Sequence, residues 1–201
     1  MKIKLEVLVS ITAMITAVAA VVVAIIQTQL MREEAELERE HSRLSVQPVL
    51  SIYSRSSIND TTGEFAFGIR NEGLGPAVVE GFSVAYKGTR ANNWSELVAI
   101  ATDGAVHLRG EKRNVPGITE STINKGMLVP ADSTILAIKL DSDAKVATRL
   151  RKIDQDTTVS ICYCSLYKEC WVTTSQNTRA KSVTSCKAYE SVNFNQLDSI
   201  Q

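Results

Sequence analysis

Twenty consecutive residues near the N-terminus, Val7 to Ile26 (VLVSITAMITAVAAVVVAII), carry no charge. At about 1.5 Å of rise per residue, a helix of that length crosses the roughly 30 Å hydrocarbon core of a bilayer. A cleaved signal peptide is the competing reading, because Ala17-Val18-Ala19 has the small-x-small form of a cleavage site. Signal h-regions run only about 7–15 residues, and here the apolar run continues through Val21 to Ile26 beyond that cut. The expectation is an uncleaved single-pass anchor over residues 1–28.

The flanks bear on sidedness. Lys2 and Lys4 precede the run against one acid, Glu6, whereas Met31 to Arg43 holds three Arg among five Glu. Lys and Arg near the ends set orientation, not net charge, so the count nearly ties. The short basic tail favours an inside N-terminus. The rest of the chain is then expected on the outer side, the periplasm if the membrane is a bacterial inner membrane.

Residues 29–47 are rich in good helix formers and contain no Gly or Pro before Pro48. They read as a helical stalk continuing the anchor. Leu30, Met31, Ala35, Leu37 and Leu44 are too sparse for a heptad seam, so a solvated charged face is expected. Inside the anchor, Ala13-x3-Ala17 and Ala20-x3-Ala24 have the small-residue spacing that lets helices pack closely in lipid. Such spacings are also frequent in ordinary anchors.

Past Pro48 the texture changes to short strands. Phe65, Phe67 and Ile69 alternate with Ala66, Gly68 and Arg70, and Phe82, Val84 and Tyr86 repeat the pattern. Further strands are expected at Val49–Ser54, Ser133–Leu140 and on both sides of a turn in TTVSICYCSLYKECWVTT. Two short helices are expected. One opens at Asn93 with Glu96 three residues on, the capping-box spacing. The other is SDAKVATRLRKI, acidic first and basic last. His107 to Gly126 reads as a long polar loop and residues 191–201 as a flexible tail. Six or seven short strands without strand–helix alternation predict a mainly β, antiparallel β-sandwich domain over residues 48–190.

Between two of these strands lies Asn71-Glu72-Gly73-Leu74-Gly75-Pro76-Ala77. Gly73 and Gly75 are expected to supply positive φ, Pro76 to fix the exit, and Asn71 to cap the reversal through its side chain. A phosphate-cradling loop would need a helix to follow, and a strand pattern follows instead. With the preceding HSRLSVQPVL and the later CYCSLYKECW, this turn resembles that of small bacterial single-pass membrane-anchored proteins. The N-x-G-x-G-P-A turn also resembles the B-to-C region of immunoglobulin-like domains. The resemblance implies an anchored immunoglobulin-like β domain and carries no catalytic residue.

Chemistry is sparse. Cys162, Cys164, Cys170 and Cys186 follow a C-x-C-x5-C-x15-C spacing without the C-x2-C knuckles of structural zinc. Disulfides and reduced buried thiols both fit. A five-residue loop would bring Cys164 opposite Cys170, while a two-residue turn would set Cys164 against Trp171. The two histidines, His41 and His107, lack a nucleophile or an orienting carboxylate in context. Asp141 with Asp143, and Asp154 with Asp156, lack the spacing and Gly of a calcium loop. No catalytic residue, cofactor or metal is expected. Lys plus Arg equals Asp plus Glu at 22 each, so no field recruits nucleic acid. The functional expectation is a membrane-tethered binding or accessory subunit with a protein partner or a homo-oligomer. The alternative is a membrane effector, for example in antiphage defence, whose helix oligomerises in the bilayer.

Overall fold

The computed structural model describes residues 5–108, 110–190 and 194. The chain divides into two compact units, Met1–Ser45 and Val46–Gln201. The first is one helix, α1 (Leu5–Ser45), long and apolar enough to cross a membrane, with a mean hydropathy of 2.7 in its most apolar window. Its large side chains from Val7 to Ile26 are exposed. The threonine hydroxyls inside the helix are satisfied within it. Thr12 donates to the Val9 carbonyl, Thr16 to those of Thr12 and Ala13, and Thr28 to that of Ala24. Bonds of this kind are what a helix in hydrocarbon requires of its hydroxyls.

The second unit is built from antiparallel strands with three short helices. In chain order it runs β1 (Leu50–Ile58), β2 (Thr62–Asn71), β3 (Ala77–Tyr86), β4 (Thr89–Ala91), α2 (Trp94–Ala101), β5 (Gly117–Glu120), β6 (Leu128–Val129), β7 (Thr134–Asp143), α3 (Ala144–Asp154), β8 (Thr157–Cys164), β9 (Cys170–Thr174), β10 (Asn177–Val183) and α4 (Lys187–Glu190). One sheet has the order β1-β2-β7-β5. The other has the order β10-β9-β8-β3-β4, with β6 also paired to β3.

Both sheets feed one buried cluster. β2 contributes Phe65, Phe67 and Ile69, β7 Ile138 and Leu140, β3 Val79, Phe82 and Val84, and β8 Val159, Ile161 and Tyr163. The alternation read from β2 therefore marks its core face. The opposite face of β2 is covered too. Gly68 lies under the ring of its cross-strand partner Tyr53. Ala66 sits between Arg55 and Lys139 in the register, and the charged heads of both meet Glu64. The long stems shield the alanine while the charges stay wet.

The helices close the core. Asn93 caps α2 by accepting from the Glu96 N–H at 2.8 Å, and Glu96 reaches back to the N–H of Asn92 rather than Asn93. The capping box thus closes one residue early. α2 delivers Trp94 to a ring cluster with Phe67, Phe82 and Phe194. Asp143 caps α3, whose Val146, Leu150 and Ile153 enter the same core. Gly63 permits that approach, because a Cβ there would collide with Ala147.

Two expectations need correction. The segment read as one polar loop from His107 to Gly126 contains strand β5 and buries Leu108, Val115 and Ile123. Its apolar residues are spaced singly among polar ones, so no periodicity announced them. Residue 194, placed in the expected flexible tail over 191–201, is buried as Phe194 against Phe82 and Trp94. The rest of that segment lies outside the described residues.

Candidate recognition end and disulfide cluster

Asn71 ends β2 fully buried and spends its whole amide on backbone. Its Nδ2 donates to the carbonyls of Gly75 at 2.8 Å, Val129 at 3.1 Å and Pro130 at 3.1 Å. Its Oδ1 accepts from the N–H groups of Gly73 at 3.0 Å and Val49 at 3.2 Å. One side chain thereby binds the β2–β3 turn, the entry to β1 and the end of β6. Capping by Asn71 extends far beyond its own turn. The reason for the glycines differs from the expected one, since neither Gly73 nor Gly75 has a positive φ. A Cβ on Gly73 would strike the backbone of Gln47 to Val49, and one on Gly75 the backbone of Val46. Close passage of the entering chain demands glycine there. Pro76 follows in the turn and Ala77 begins β3, as the exit requires.

Register places several turns at this same end. Leu50 pairs with Asn71, Val78 with both Leu128 and Cys164, and Cys164 with Cys170. Residues 72–76, β6 and residues 165–169 therefore gather at the end of the domain where β1 begins. Among the described residues of the second unit, the exposed large hydrophobics are Val49, Leu74, Ile100, Leu128, Leu166 and Tyr167. All but Ile100 are at this end.

The four cysteines are here as well. Ser165 donates its N–H to the Glu169 carbonyl, so the next pair inward, Cys164 and Cys170, occupies a non-hydrogen-bonded site with Cα atoms 4.0 Å apart. Such sites bring side chains closest. A disulfide joins that pair across the five-residue loop, and a second joins Cys162 to Cys186. The structure pairs all four cysteines as disulfides, and the two-residue turn falls away. Because Cys162 and Cys164 are two residues apart on β8, both disulfides share one face, and Cys164 Sγ lies 3.9 Å from Cys186 Sγ. A pocket of about 480 Å³ opens over Cys164, Cys170 and Cys186, with Leu166, Lys168 and Val78 in its wall. The sulfurs of Cys164, Cys170 and Cys186 lie within 4.8 Å of one another. As disulfides they offer no thiolate to a metal.

The remaining candidates are structural. Asp143 caps α3, Asp141 pairs with Lys139, Asp154 accepts from Ser54, and Asp156 pairs with Lys87. His107 sits where its backbone N–H donates to Asn114. Tyr163, buried beneath the cysteines' strand, accepts from the Leu50 N–H at 3.2 Å, and burial pushes its phenol pKa up. Ala13, Ala17, Ala20 and Ala24 lie exposed along α1.

The sequence matches the family described as Domain of unknown function (DUF8453) over residues 7–189. The chain belongs to that family. The matched region begins within the apolar part of α1 and ends in α4, so the family domain includes both units. No curated protein and no solved structure matches the chain.

Proposed function

We propose that this DUF8453 protein is a bacterial membrane-tethered binding subunit. In this reading α1 anchors it and the β domain grips a protein partner through the end bearing Leu74, Leu128, Leu166 and Tyr167. The observation that carries this reading is the gathering of exposed apolar residues on the turns beside the chain entry. Clustered exposed apolar groups mark interaction sites, whereas single ones need no explanation.

The strand order supports an immunoglobulin-like sandwich. β1-β2-β7-β5 follows the A-B-E-D pattern and β9-β8-β3-β4 follows G-F-C-C′, with β10 added outside G. The β2–β3 and β8–β9 turns then correspond to the B–C and F–G loops, which serve recognition in variable domains. The disulfide between the two sheets typical of antibody domains has no counterpart, since both disulfides here involve β8 and its C-terminal neighbours. Two disulfides also favour the outer, oxidising side of the membrane for this unit.

The test is capture from membranes with the tagged full-length protein. Leu74→Asp with Leu166→Asp should abolish co-purification of a specific partner while leaving the protein folded and membrane-bound. Unchanged capture would remove the reading. The membrane-effector alternative rests on the small residues Ala13, Ala17, Ala20 and Ala24 along α1, which suit helix packing in lipid. Growth arrest with depolarisation on induced expression favours that alternative, and harmless accumulation with a partner favours the subunit.

A further inference from the structure

Two disulfides lie side by side at the end of the domain. We propose that they form a thiol–disulfide exchange site, which accepts two electrons from a dithiol at Cys164–Cys170 and passes the break inward to Cys162. The juxtaposition that carries this is Cys164 Sγ 3.9 Å from Cys186 Sγ, at the floor of an open pocket. This inference stands independently of the partner-binding reading.

The burial is graded along the relay. Cys164 is part-exposed, Cys170 and Cys186 are 8 % and 4 % exposed, and Cys162 is fully enclosed at 0 %. An incoming dithiol reaches the outer pair first. Both cysteines of that pair line the pocket, and attack of the dithiol's thiolate on Cys170 Sγ breaks the Cys164–Cys170 bond and leaves Cys164 as thiolate. The second thiol of the reductant then attacks the mixed disulfide, frees Cys170 as a thiol and departs as a disulfide. The Cys164 thiolate attacks its neighbour Cys186, forms Cys164–Cys186, and expels Cys162, which takes up a proton. Two electrons and two protons have moved from the dithiol to the protein, which keeps one disulfide.

The end state is favoured by where the thiols sit. Cys162 lies among Cys170, Val172 and Cys186 in an apolar cluster, where a neutral thiol packs as a small hydrophobe and a thiolate is penalised. Protonation there withdraws the nucleophile that would drive the reverse step. The exchange leaves the segment around Cys186 linked to β8, so the fold survives the electron transfer. Cys170 is left as a free thiol beside Lys168 in the pocket wall, available to a second thiol-bearing molecule.

Limited reduction of the full-length protein in detergent with dithiothreitol tests this. After acid quenching, unfolding, alkylation and peptide mass spectrometry, the main two-electron-reduced species should carry label on Cys162 and Cys170, with Cys164 and Cys186 linked. Label on Cys164 and Cys170 with Cys162–Cys186 intact would overturn the proposal. A second measurement needs no reductant. In Cys162→Ser, the freed Cys186 thiolate should attack Cys164, so that most molecules carry Cys164–Cys186 and a free Cys170. Retention of Cys164–Cys170 with Cys186 free in most molecules would overturn it equally.

Discussion

Asn71 illustrates how much a single residue can decide. Its five backbone hydrogen bonds join three segments that are distant in sequence. Asn71→Ala leaves buried carbonyls and N–H groups without partners, each costing about 1–3 kcal/mol. Thermal unfolding in detergent should show a loss of at least about 3 kcal/mol, far beyond that of an exposed asparagine such as Asn59→Ala. Glu64 offers a pH-dependent contrast. The hydrogen bond from Lys139, then that from Arg55, holds its carboxyl below the ordinary 4.5. A depressed folded-state pKa means stability present above the unfolded value and lost as pH falls through the folded one. Stability should therefore decline as acid is added below about pH 4.5, and Glu64→Gln should flatten its share of that slope. The effect is small because the pair is partly exposed.

At the level of elements, the two disulfides should differ in worth. Cys162–Cys186 spans a sequence separation of 24 and Cys164–Cys170 one of 6. In the loop-entropy account, removing the first costs about 3 kcal/mol and removing the second about 2 kcal/mol. Paired serine substitutions followed by denaturant titration would measure both, and equal costs would contradict that account here. α1 poses a different question. On the proposed membrane-tethered reading its small residues set its packing in lipid, so Ala17→Leu and Ala20→Leu should weaken self-association or docking on a partner's helices. Val22→Leu should matter less. Crosslinking and sizing in gentle detergent would show a shift toward monomer in the first pair alone. Glu33, Glu34, Glu36, Glu38 and Glu40 oppose a parallel assembly by like-charge crowding, partly offset by Arg32, Arg39 and Arg43.

For the whole molecule, the proposed membrane-tethered function turns on which side of the membrane the β domain occupies. The proposed outer-side placement rests on the Lys2 and Lys4 flank and on the two disulfides. A single cysteine introduced at exposed Leu74 of the full-length protein should react with a membrane-impermeant maleimide in intact cells, or in spheroplasts if an outer membrane is present. Labelling only after lysis would reverse the topology. It would also set the disulfides against a reducing compartment, where the exchange site would meet dithiols continuously. The domain's apolar turns and its disulfide cluster share one end, so a partner seated on Leu166 and Tyr167 would cover the approach to Cys164. Binding and reduction should then compete, which dithiothreitol reduction of the unlabelled protein with and without the captured partner would report.

Local signals were enough for much of this architecture. A charge-free run of twenty residues, the alternation of Phe65, Phe67 and Ile69, and the Asn93–Glu96 spacing each depend on near neighbours, so α1, β2 and α2 could be read directly. The hairpin between β8 and β9 was also legible, but its register was not, because both turn lengths satisfy the same residues locally. The tertiary structure decided that register, and with it which cysteines meet. It also decided why Gly73 and Gly75 are glycine, since the backbone they make room for, Val46 to Val49, lies more than twenty residues earlier. β5 and Phe194 escaped for the same reason: isolated apolar residues acquire meaning only when a distant surface needs covering. Sequence periodicity records which face of an element is buried, and only the fold supplies what it is buried against.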